Sequence, residues 1–284
     1  MAYLYARHGG EFLVNTTTTD AQRRPETVAL AGGGFIVVWQ DSSGLGGDSS
    51  LTSIKGQRYD GAGQPVGSEF LINTSTNNAQ NSPDVIATAN GGFLVVWGDR
   101  SGTSGDFDGA IRGQFFDASG AKSGGEFRLN AEIASDQGSP SITTLADGGF
   151  AVSWLTARAG VSPPAYNYHT QAFDPNGTPR GAETLIAADQ TFPYSGPAIT
   201  SLAGGGYVVV WESGQYLYGR VFNAAGDATG NAFKLTSSIY GGEQQPALLG
   251  TPDGGFVAIW SHWGDTARND VLAQRFNSAG QPIG

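Results

Sequence analysis

The chain contains no cysteine and one methionine, and only 14% of its 284 residues are charged, well below the usual ~25%. Without cysteine there is neither a disulfide framework nor a thiolate metal site. No apolar run reaches the ~18 residues that a membrane-spanning helix needs, so no membrane insertion is expected. Positive charge is scarce: 15 Lys and Arg stand against 25 Asp and Glu, a formal net charge of -10. Nucleic acid is therefore excluded as a partner, because phosphate binding needs a basic surface. Met1 to His8 has no apolar core and is not a secretory signal; these residues read as a leader or linker remnant. What the chain has in excess is glycine, 44 residues, with 11% aromatics, too many for a disordered polymer.

The glycines and aromatics are periodic. Gly33-Gly34-Phe35 leads through an apolar run to Trp39, and the same run ends in Trp97, Trp154, Trp211 and Trp260, at spacings of 58, 57, 57 and 49 residues. Each copy opens with a proline (Pro25, Pro83, Pro140, Pro197, Pro246) and a short β-prone run. A Gly-containing pair such as Asn90-Gly91 or Asp147-Gly148 then turns the chain as a tight hairpin. The run ending in Trp is apolar on both faces, as a doubly buried strand requires, and its five tryptophans are expected in the core. A third run ends in an aromatic followed by Asp or Asn, with Gly three residues on, which is Asx turn chemistry. A fourth run follows, as in Glu69-Phe70-Leu71-Ile72-Asn73.

Four strands repeated five times predict an all-β fold, a five-bladed β-propeller over residues 9–284. The fifth copy stops at Gly284, before its fourth run, while Glu11-Phe12-Leu13-Val14-Asn15 matches Glu69 to Asn73 in register. The N-terminal strand 11–15 is therefore expected to complete the last blade and close the ring, removing the exposed ends of the array.

Propeller geometry puts the short, nearly invariant turns on one face and the long, variable loops on the other. Function usually sits on variable loops held by a rigid scaffold, so the long-loop face is the expected working surface. Its aromatic and imidazole residues, Tyr166, Tyr168, Tyr194, Tyr216, Tyr240, His262 and Trp263, suit sugar rings that stack on flat apolar groups. Trp263 is the one Trp outside the repeat.

Asp41 and Asp48 in the first blade, and Asp99, Asp106 and Asp108 in the second, can offer oxygens to calcium, though neither loop has EF-hand or RTX nonapeptide spacing. No other cofactor is expected. Glu26 and Asp84 occupy the same place after the inner-strand proline of blades 1 and 2, where a carboxylate pair could face the channel mouth and hydrolyse glycosides. Ser141, Ala198 and Ala247 stand there in the other blades. The three histidines are too scattered for a metal triad. Gln22, Gln80 and Gln137 recur three residues before the proline, and Asn15, Asn73 and Asn130 recur likewise; both suggest inter-blade hydrogen bonds.

The repeat, in this chain Gly56-Gln57-Arg58-Tyr59-Asp60 through Asn73, resembles repeats of large secreted bacterial proteins of the haemolysin-type calcium-binding (RTX) group. That resemblance implies an extracellular location. Five blades also look like tachylectin-type lectins, whereas five-bladed glycosidases share only the blade number. The expectation is a secreted, monomeric, non-catalytic module that binds a glycan or cell-surface polysaccharide, or mediates adhesion, through its variable loop face. The alternatives are a glycoside hydrolase or lyase using Glu26 and Asp84, and a structural spacer in a large adhesin.

Overall fold

A computed structural model describes residues 10–103, 109–158, 160–162, 164–191, 195–236, 242–263 and 269–284. They form five four-stranded antiparallel sheets, each in the order of its sequence, consistent with a five-bladed propeller. The first blade comprises β1 (Gln22–Ala29), β2 (Phe35–Asp41), β3 (Ser53–Tyr59) and β4 (Pro65–Leu71). The second comprises β5 (Gln80–Ala87), β6 (Phe93–Asp99), β7 (Ala110–Phe116) and β8 (Lys122–Arg128). The third comprises β9 (Asp136–Thr144), β10 (Phe150–Ala157), β11 (Ala165–Phe173) and β12 (Pro179–Thr191). The fourth comprises β13 (Ala198–Ser201), β14 (Tyr207–Ser213), β15 (Tyr216–Phe222) and β16 (Phe233–Lys234). The fifth comprises β17 (Gly242–Gly250), β18 (Phe256–Trp263), β19 (Asn269–Phe276) and β20 (Pro282–Ile283).

Each inner hairpin uses its two glycines for different reasons. In the second blade Gly91 has φ 85°, and a Cβ on Gly92 would stand 2.0 Å from the Phe116 carbonyl oxygen. The first glycine supplies the turn, and the second lets the end of β7 approach. That approach places Phe93 opposite Phe116, their rings stacked 4.7 Å apart; the other four blades stack the equivalent pair at 4.9–5.1 Å. Gly92→Ala is expected to destabilise by about 1–3 kcal/mol, the usual range for overpacking, and a lower urea midpoint at unchanged slope would register it.

The core lies between blades. Ile36, Val38, Ile54 and Ile72 of the first pack on Val85, Phe93, Val95 and Trp97 of the second. Three further clusters join blades 2 to 3, 3 to 4 and 4 to 5. All five repeat tryptophans are buried. The recurring polar residues link successive blades as expected: Asn15, Asn73 and Asn130 each donate an amide to Gln22, Gln80 and Gln137, at 3.3 Å in every case.

Residues 11–15, expected to complete the fifth blade, make no ladder pairing with its sheet. The fifth sheet has a fourth strand of its own, β20, held by the pairs Phe276↔Pro282 and Arg275↔Ile283. Residues 11–15 instead run along the first blade. Phe12 lies 5.3 Å from the Tyr59 ring, the Tyr59 hydroxyl donates to Val14 O at 2.8 Å, and Glu69 accepts the Thr16 N–H at 2.9 Å. Thr74 and Ala131 make the same backbone contact with Glu126 and Glu183 of the following blade. The segment thus takes the pose of a preceding blade's outer strand without its sheet. No packed cluster joins the fifth blade to the first among the described residues. Leu249, Ile259 and Val271 are 66%, 42% and 75% exposed, while their counterparts Ile86, Val38 and Ile54 are buried.

Candidate active site

The inner strands carry a feature that the repeat pattern did not announce. Arg24, Ser82, Ser139 and Gln245 each precede a strand proline and each has a positive φ of 51–54°. The register of β1, β5, β9 and β17 against its neighbour shifts in the turn of chain around this point. A proline cannot donate to the ladder, and a bulge there turns the preceding side chain out of the sheet. Non-glycine residues held at positive φ are costly and concentrate at functional sites. All four line one mouth of about 580 Å³, with Ser195 and Gly196 supplying the fourth blade's share. The Arg24 guanidinium donates to Ser82 Oγ across the opening.

Glu26 and Asp84 line the same mouth. Asp84 is half-buried, and its two oxygens accept the Val85 N–H at 2.7 Å and the Ile142 N–H at 2.9 Å. Burial, reinforced by the nearby Glu26 charge, pushes its pKa up to about 7 against these hydrogen bonds. Burial also raises the Glu26 carboxyl, which remains exposed to solvent. On the far side, buried Glu212 accepts the Ser195 hydroxyl at 2.7 Å and the Gln245 N–H at 2.8 Å, anchoring the fifth blade's bulge. Sequence reasoning missed Arg24, Ser82, Ser139, Gln245 and Glu212. The one available signal was that the residue before each repeat proline is polar or glycine.

A second cleft of about 400 Å³ shares Arg24, Ser82 and Ser139 with the mouth and opens among the ends of strands that carry the long loops. Arg23, the Arg100–Asp136 ion pair and Tyr166 line it. Tyr166 is the expected aromatic that reaches a cavity. Tyr168 is a correction: it is buried between blades 3 and 4, 6.4 Å from Trp211, because it occupies the inward position of Ile54 in β3. Tyr216 is half-buried under the Lys234 ammonium, 3.2 Å from its ring centre. His262 stands 3.1 Å from buried Glu243, and Trp263 is exposed at the end of β18. Neither cavity is lined by Tyr216, His262 or Trp263, so these residues do not converge with Tyr166 on one pocket. Tyr194 and Tyr240 lie outside the described residues.

The described candidates for calcium ligation are engaged within the fold. Asp41 is buried 3.5 Å from Lys55 Nζ, and Asp99 is buried 3.5 Å from Arg112 Nε. Buried Asp48 accepts the Asn73 amide at 2.9 Å and the Ser50 N–H at 3.0 Å. Their oxygens serve the protein's own cations and donors and do not form an open cage. Asp106 and Asp108 lie outside the described residues.

No family model matches the chain, and no curated protein matches its sequence. Solved structures do. The chain resembles a GH93 α-L-arabinofuranosidase of Fusarium graminearum, solved with arabinobiose, at TM-score 0.63 and 16% identity, over 93% of this chain and 80% of that one. It resembles an endo-arabinase of Bacteroides thetaiotaomicron at TM-score 0.54 and 10% identity, over 96% and 98%. A Dyadobacter fermentans protein of unknown function gives TM-score 0.63 and 10% identity, over 93% and 81%. At such identities the likeness is one of fold. It nonetheless overturns the expected non-catalytic binding module, since the named activities are those of glycoside hydrolases and not of lectins. The same neighbours run against the lean away from an enzyme, a point on which the sequence left both answers open.

Proposed function

We propose that the chain is a glycoside hydrolase-type propeller whose axial mouth takes a sugar polymer, with Asp84 as general acid and Glu26 as its carboxylate partner. One observation carries the reading: two carboxyls share a mouth large enough for a sugar, and the more enclosed one keeps its proton to about 7. Glycoside hydrolysis needs such a division of labour, one acid to protonate the leaving oxygen and one carboxylate to activate water or attack. Arg24, Ser82, Ser139 and Gln245, turned inward by their bulges, offer hydroxyl and amide contacts to the substrate. No cofactor enters this scheme. The chain works outside the cell, as the RTX-type resemblance of its repeats implies, and as a monomer.

In the same reading the ring is closed. The fifth blade docks on the first, and residues 11–15 pair with β19 beyond the two-residue β20. The arabinofuranosidase and endo-arabinase neighbours set the first substrates to try: aryl α-L-arabinofuranosides, arabinobiose and arabinan. Release of aryl alcohol or reducing ends above the blank is expected for at least one. A folded, monodisperse chain that releases none from the panel sinks the reading.

A further inference from the structure

The outer part of the third blade departs from the repeat at neighbouring points. In the first blade Lys55 Nζ stands 3.0 Å from Glu69 and 3.5 Å from Asp41; in the second, Arg112 Nε lies 3.5 Å from Asp99 and 4.0 Å from Glu126. A permanent cation answers two carboxylates in each. The third blade keeps the fourth-strand acid, Glu183, but holds His169 in the cation's place and Thr156 in that of the other acid. The chain entering the blade has changed too. Ser75 donates its hydroxyl to Glu126 at 3.2 Å, whereas the matching residue before the third blade is Glu132, which when ionised has nothing to donate.

These exchanges bring an imidazole and two carboxylates together. One ligand atom each of Glu132, His169 and Glu183 lies within 4.8 Å of the others. His169 is 6% exposed and stacks 5.9 Å from Trp154, which holds its ring plane. Its Nδ1 is 2.7 Å from Glu183 Oε1, yet neither ring nitrogen makes a hydrogen bond, because the oxygen lies off the line that an N–H would take. The other oxygen of Glu183 accepts the Ala131 N–H at 2.8 Å, which orients the carboxylate. Adjacent carboxylates repel unless a cation lies between them. One imidazole nitrogen with carboxylate oxygens is a donor set for zinc-class ions, whereas calcium takes oxygen alone.

We propose that Glu132, His169 and Glu183 bind a divalent transition-metal ion of the zinc class. The ion clamps the segment entering the third blade to β11 and β12. Three protein ligands leave a fourth position for water. The site sits on outer strands, whereas the axial mouth is built from inner ones, so it stands or falls independently of the hydrolase reading.

The test uses the chelator-treated full chain, titrated with zinc chloride by calorimetry and with cobalt chloride by visible absorption. One zinc per chain is expected, with the d–d absorption of a low-coordinate cobalt site and a melting temperature that rises with zinc. Glu132 is exposed, so Glu132→Gln keeps the fold; its affinity should fall on the order of ten-fold or more. His169→Gln should lose the site, while His262→Gln binds as the parent does. Absence of saturable zinc binding overturns the proposal. So does an affinity that neither Glu132→Gln nor His169→Gln changes, or a site lost only in His262→Gln.

Discussion

Asp84→Asn is expected to abolish glycoside hydrolysis while making the chain relatively more stable at pH 8. Loss of a positioned proton donor costs about 10²–10⁴ in rate. For the parent, kcat/KM should fall as pH rises through about 7, where Asp84 surrenders its proton, and any residual activity of the variant should lack that limb. The stability effect has the opposite sense. Asp84 titrates at about 7 in the fold and near 3.9 in an unfolded chain. A raised pKa contributes stability that is present below about 4 and is lost as pH climbs to 7, because the fold must then hold a charge it disfavours. Asparagine loses nothing across that window, and its carbonyl oxygen can keep the Ile142 N–H contact. Glu69 and Glu183 are shifted the other way, against the cost of their burial: Glu69 by hydrogen bonds from Thr16 and Lys55, Glu183 by the adjacent His169 imidazole and the Ala131 N–H. Their contribution is lost only below the ordinary carboxylate range, outside this window. Melting curves of parent and variant from pH 4 to 8 should therefore diverge as pH rises. A variant with parental kcat/KM removes Asp84 from the mechanism, and parallel melting curves remove the pKa argument beneath it.

Much of this was legible in the sequence because repetition averages out local ambiguity. Five copies of one pattern identified the sheets, the hairpin glycines, the buried tryptophans and the Asn–Gln links between blades. The errors arose where one copy departs from the others or where a partner is distant in sequence. Tyr168 was grouped with loop aromatics although the register of β11 aligns it with Ile54, an inward position. Asp41 and Asp99 read as loop acids because Lys55 and Arg112, which neutralise them, lie one strand further on. Glu26 and Asp84 were visible as a pair, but their proton affinities follow from enclosure by other blades, which spacing does not encode. The bulges before the prolines are backbone events, and only the recurrence of the proline hinted at them. The Glu132, His169 and Glu183 cluster joins three elements, and it is apparent only when the third blade is compared with the first two at the level of contacts.

Ring closure yields the second large effect. Val271→Asp is expected to destabilise severely, by about 3 kcal/mol or more, because closure would bury the new charge where Ile54 and Leu217 are buried in other blades. With the fifth face open to solvent, as Val271 stands at 75% exposure, the same substitution should change stability by no more than about 0.5 kcal/mol. The energetics favour closure. Fully burying each of Leu249, Ile259 and Val271 is worth about 1.5–3 kcal/mol. Ordering a free strand costs about 1–2 kcal/mol per residue, but Phe12, Val14 and Thr16 already lie in outer-strand pose against Tyr59 and Glu69, so much of that cost is met before docking. Val14→Asp supplies the matching test from the other side, since Val14 aligns with buried Ile72. If both aspartates lower the urea midpoint together and their effects fail to add, the two residues share one interface, as closure requires. If both are silent, the first and fifth blades remain apart, and the axial mouth is bounded on that side by solvent.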